Sequence, residues 1–173
     1  MLSLIQFFFQ LCLLKARPQE LPASPVLLAL VAAINVLVGI AVAAGSLGDT
    51  LTGLLASLVD AALLALVLWI LLKAWGHPAR FLQTATAAFG VSAMISVLSL
   101  PLQLLVIDAG DEPGVLASIA GLMFLVLVIW LQVALGNVLR HALGTSLLFG
   151  VGLAFLYALV SGTVIQRLFP VSL

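Results

Sequence analysis

The sequence predicts an all-α membrane protein: a five-transmembrane-helix bundle preceded by a short N-terminal interfacial amphipathic helix. Three observations predict it. The 173 residues are 65% hydrophobic and only 7% charged, against about 25% charged in an average soluble domain. The mean hydropathy is +1.39, so lipid is the natural solvent for this surface. Five apolar runs have about the 20 residues that a spanning helix needs, and short polar turns separate them. The whole chain, 1–173, therefore reads as one polytopic membrane domain.

The elements follow in order. The first run, "MLSLIQFFFQLCLL", has about 14 apolar residues, short for a span. At about 100° per residue, Ser3, Gln6, Gln10 and Arg17 fall on one narrow stripe. Residues 1–17 are thus expected as a helix in the interface, with Phe7, Phe8 and Leu11 against lipid or the bundle. A secretory signal would want its positive charge before the apolar run, whereas Lys15 and Arg17 follow it. Pro18, Pro22 and Pro25 then end this helix and open the first span. The spans are expected at about 25–44, 51–72, 85–107, 115–139 and 145–165, with Pro101 kinking the third. The turns "GSLGDT", "KAWGHPAR", "DAGDEPG" and "RHALG" join them.

Charge sets the orientation. With five spans, Lys15, Arg17, Lys73, Arg80 and Arg140 share one side, and Arg167 alone falls on the other. The opposite loops carry Asp49, Asp108, Asp111 and Glu112. The excess of basic residues places the N-terminus in the cytoplasm and the C-terminus outside. Trp69 and Trp75 suit interfacial anchoring, and the deeper Trp130 suits packing. The expected location is a bacterial inner membrane. Zero formal net charge and the absence of a basic stretch exclude nucleic acid as a partner.

Candidate chemistry centres on Asp60, near the middle of the second span. A carboxylate there costs about 2.5–3.5 kcal/mol on insertion scales and should not face lipid. Gly53, Ala56, Ser57, Ala61 and Leu64 recur beside it on one face, and small residues let a neighbouring helix approach. Asp60 is therefore expected to point into the bundle, with Asn35 and Tyr157 as partners at similar depth. In one reading these three side chains clamp helices together. In the other, Asp60 binds a proton or cation during transport. The clamp ranks first, because no span supplies a second acid or any base. Gln132, Asn137, Gln83, Thr84 and Thr86 read as interhelical hydrogen-bonding residues. Gly39 with Ala43, and Gly150, Gly152 and Ala154, offer close-packing surfaces within the chain or between copies.

Catalysis has no support. His77 and His141 lie in turns without companion ligands, so no metal site is expected. H-E-x-x-H, G-x-S-x-G and a phosphate-cradling glycine loop are all missing. Ser92, Ser96 and Ser99 have no base beside them. Cys12 lies in an apolar run and reads as a small buried side chain. No cofactor is expected.

Three stretches resemble a known family. "GHPARFLQTATAAFGVSAMISVLSLP" (Gly76–Pro101), "IWLQVALGNVLRHALGTSLLFG" (Ile129–Gly150) and the proline-rich "RPQELPASP" (Arg17–Pro25) are similar to the third span, the turn between the fourth and fifth spans, and the entry to the first span of the YIP family. These are Ypt/Rab-interacting membrane proteins with bacterial relatives. The resemblance implies five spans with almost no loops. The Asp-Leu-Tyr-Gly-Pro stretch of eukaryotic members is not among these residues, so it implies a fold more than a GTPase-binding activity. The expected function is that of a small non-enzymatic membrane protein acting through lateral helix contacts, as an oligomer or an accessory subunit. Its partners would be the bilayer and another copy or membrane protein. The alternative is a small transporter or proton-coupled permease using Asp60. The two readings differ in whether Asp60 meets a dry helix contact or a water-filled cavity.

Overall fold

The computed structural model describes residues 2–47, 49–110 and 114–170. Asp111 and Glu112, counted above on the acidic side, lie outside them, as does the side chain of Ser3. The described chain is an all-α bundle of α1 (Leu2–Cys12), α2 (Pro25–Leu47), α3 (Thr50–Ala74), α4 (Phe81–Asp108), α5 (Val115–Leu143) and α6 (Leu147–Leu168). The last five are long and apolar enough to cross a membrane.

Local signals start and stop these helices. Pro25 opens α2 behind Ser24, whose hydroxyl accepts the Leu27 N–H at 3.3 Å. Asp49 caps α3 and accepts both the N–H and the hydroxyl of Thr52 at 3.0 Å. The Thr52 N–H bond holds the Asp49 carboxyl below its ordinary range. Ser146 caps α6 in the same way, and α5 stops at Gly144 with φ +70°. A Cβ is strained there, so glycine suits the left-handed turn.

The observed spans run longer than the sequence suggests. The third begins at Phe81 instead of 85, because Gln83, Thr84 and Thr86 sit inside the helix despite their polarity. Thr86 returns its hydroxyl to Leu82 O at 2.7 Å. The helix also continues through Pro101 to Asp108.

Helix order in space differs from order in sequence. α2 packs extensively on both α3 and α4, α4 on α5, and α5 on α6, while α6 meets α3 only lightly. The neighbours therefore run α3, α2, α4, α5, α6 and close a ring at a thin α3–α6 seam. Outside the ring the surface is hydrocarbon: Val26, Leu148 and Leu159 are among the exposed side chains. Without water nearby, every backbone group must be satisfied inside its own helix. This is an integral membrane protein in contact with the bilayer.

The N-terminal helix docks on the bundle rather than running to residue 17. It ends at Cys12, where Leu14 turns the chain with φ +62°. Lys15 N–H reaches Gln10 O at 2.8 Å and Leu14 N–H reaches Leu11 O at 3.0 Å, closing the helix before the prolines. Gln6 and Gln10 are exposed, as the polar stripe predicts, while Phe8, Leu11 and Cys12 are buried. The Phe8 ring lies where a Cβ on Gly90 would stand, so that glycine lets α1 approach α4. Trp130 donates its ring N–H to Cys12 O at 3.0 Å and so pins this helix to α5. Burial pushes the Cys12 thiol up to about 11, which keeps it protonated at neutral pH.

The connection that follows is stitched down at the same end. Gln83 Nε2 donates to Gln19 O at 3.1 Å and Leu21 O at 2.7 Å. Gln19 Nε2 donates to His141 O at 2.6 Å, and Arg80 Nη1 to Ala142 O at 3.0 Å. His141 Nδ1 donates in turn to Asn137 O at 2.9 Å. These bonds gather the start of α2, the start of α4 and the end of α5 at one end of the bundle.

Candidate functional site: a polar cavity inside the ring

Asp60 lies on α3 at the thin seam and faces α6. Tyr157 donates its hydroxyl to Asp60 Oδ1 at 2.5 Å and also reaches Asp60 O at 3.2 Å. Ser161 donates its hydroxyl to the same Oδ1. Tyr157 and Ser161 stand four residues apart, one helical turn, so both hydroxyls rise from one face of α6. Two donors meet one carboxylate oxygen, and among the described residues none is assigned to the other.

The carboxylate also lines a cavity of about 400 Å³. Every spanning helix contributes to its wall: Asn35 and Gly39 from α2, Ser57 and Asp60 from α3, Ser92 and Ser96 from α4, Gln132 from α5, and Tyr157 and Ser161 from α6. Lysine, arginine and histidine are absent from the lining. Asp60 and Tyr157 are its ionisable side chains. Toward the end where the chain begins, the cavity gives way to apolar packing. There Leu64, Leu68, Leu71, Val138, Leu139 and Leu153 leave a void of only about 20 Å³.

The three residues expected to act together are thus all on this wall, in different roles. Tyr157 bonds Asp60 directly. Asn35 shares the cavity without a hydrogen bond to Asp60. Ser161 is the partner that depth matching overlooked, although its position one turn beyond Tyr157 was a usable signal. Gln132 overturns its expected role as an interhelical hydrogen-bonding residue. It is 6% exposed, lines the cavity, and its Oε1 has no hydrogen-bond partner. A buried amide oxygen left this way carries a desolvation penalty, and with almost no accessible surface it does not open onto the cavity itself. Asn137 is likewise buried with neither side-chain atom bonded, but it is not on the cavity wall. Gln83 bonds the connection before α2, at Gln19 O and Leu21 O, and Thr86 bonds its own helix at Leu82 O.

The small-residue surfaces are largely spent inside the chain. Gly39 packs on Ser57, where an added Cβ would lie 2.9 Å from the hydroxyl oxygen. Gly53 packs on the α2 backbone at Ala44 N. Gly150 lies against Gly136 O, and Ala154 is fully buried. Gly152 faces open space. Among the described residues, no three His, Cys, Asp or Glu side chains gather as metal ligands.

Compared with protein-family models, with curated proteins and with solved structures, the chain finds no match.

Proposed function

We propose that this chain is a small transporter or proton-coupled permease whose solute site is the Asp60 cavity. The carrying observation is the meeting of an intramembrane carboxylate with a cavity lined by all five spans. Ionisable groups inside a membrane mark solute and proton pathways when they face a cavity. A helix clamp alone would need only the contact with Tyr157 and Ser161, with no polar wall contributed by α2, α4 and α5. The lateral-contact reading draws less support, because the small faces that motivated it pack inside the chain.

Kinship with bacterial relatives of the YIP family belongs to the same proposal. The five-span architecture supports it, and it adds no ligand of its own. So does placement in a bacterial inner membrane with the N-terminus in the cytoplasm. It rests on the five basic residues that the fold collects at the end where the chain begins.

The test is proton and solute flux in liposomes carrying wild-type protein or Asp60→Asn, over a range of pH. The expected result is pH-dependent flux in wild type and its loss in a variant that still elutes as a single folded species. No flux from either protein would remove the transport reading, and equal flux from both would remove Asp60 from it.

A further inference from the structure

We infer that the cavity takes a small organic ammonium ion, its charged nitrogen at Asp60 and its hydrocarbon part on the apolar wall. The inference deepens the transport reading and rests on it for the location of the site.

Three observations lead here. The first is the sign of the charge. The lining contains one carboxylate and no Lys, Arg or His. A carboxylate with no basic side chain beside it suits a cation better than an anion. The second is an unmet acceptor. Tyr157 and Ser161 both spend their donors on Asp60 Oδ1, which leaves Oδ2 without an assigned donor. An ammonium group brings several N–H donors and a positive charge together, the complement of this carboxylate oxygen. The third is the character of the remaining wall. Val42, Leu131, Leu135 and Ile165 border the same space. A bare alkali ion would want a tight cage of oxygens, whereas about 400 Å³ with a mainly apolar lining suits a cation with an alkyl body.

The decisive experiment is isothermal titration calorimetry of the full chain in mild detergent at constant ionic strength. The probes are n-butylammonium chloride, its neutral analogue n-butanol, sodium chloride and potassium chloride. Saturable binding of butylammonium is expected, at least tenfold tighter than butanol, with no saturable heat from sodium or potassium. Asp60→Asn should weaken butylammonium at least tenfold. The comparison of butylammonium with butanol uses wild-type protein alone, so it stands even if a variant fails to fold. Saturable sodium or potassium binding without butylammonium binding would overturn the inference in favour of an alkali-ion site. Equal affinity for butylammonium and butanol would overturn it by removing charge selection, and silence from all four probes would overturn it outright. Flux lost in Asp60→Asn without butylammonium binding would defeat the inference while leaving transport intact. Butylammonium binding without flux of any solute would uphold the ligand class and defeat transport.

Discussion

At the scale of single residues, the Asp60 cluster makes a quantitative claim. Tyr157 and Ser161 each donate to Oδ1, and Asn35 does not bond to the carboxylate. Double-mutant cycles of unfolding in detergent should therefore separate the partners. Tyr157→Phe with Asp60→Asn should show a coupling of about 0.6–2 kcal/mol, the range for interhelical bonds in membranes. Asn35→Ala with Asp60→Asn should show coupling near zero. A reversed pattern would place the carboxylate against α2. The sequence made Asp60 and its inward direction legible, since an acid in an apolar run has nowhere cheaper to point. Tyr157 was legible from depth. The role of Gln132 was not, because an amide that bonds a neighbouring helix and one left unbonded beside a cavity look the same in one dimension. Their difference depends on which helices stand beside α5.

At the scale of elements, packing of small residues decides what the helices touch. A Cβ at Gly150 would collide with Gly136 O, whereas one at Gly152 would meet open space. Gly150→Ala should therefore lower thermal stability by the cost of overpacking, about 1–3 kcal/mol. Gly152→Ala should leave it nearly unchanged. Thermal unfolding in detergent, followed by circular dichroism, reads both. Stability lost only in Gly152→Ala would mean that the outward face, not the α5–α6 contact, is the tight one. Helix existence and type were legible throughout, because apolar length in a membrane leaves few alternatives. Helix ends were less so. Gln83, Thr84 and Thr86 look like a loop to any hydropathy scan, yet Gln83 is needed inside α4 to hold the backbone at Gln19 and Leu21. The interfacial helix was legible by its stripe, but its end at Leu14 was not. A non-glycine residue in the left-handed region announces nothing in advance.

At the scale of the whole molecule, the fold is a ring whose weakest seam carries its most polar contact. The spatial order α3, α2, α4, α5, α6 could not be read from a chain whose loops are all short, because short loops allow several rings. The ends of the bundle carry the sidedness. Lys15, Arg17, Lys73, Arg80 and Arg140 belong to elements that meet at one end, and Arg167 lies near the other. In a Cys12→Ser background, Gln166→Cys should react with a membrane-impermeant thiol reagent on intact cells, and Ala79→Cys only after permeabilisation. Both positions are exposed in the folded chain. The opposite result would invert the topology.

The seam also has a history during synthesis. Asp60 precedes Tyr157 by 97 residues and Ser161 by 101. At about 5–20 residues per second, the carboxylate waits roughly 5–20 s in or near the membrane before its hydroxyl partners are made. Over that interval α3 must hold a polar group in lipid with only its own apolar length and its pairing with α2 to keep it there. The last helix then arrives as the piece that shelters the acid. A ribosome stalled before α6 should expose a half-built protein whose α3 is its least secure segment, and the first place for quality control to act.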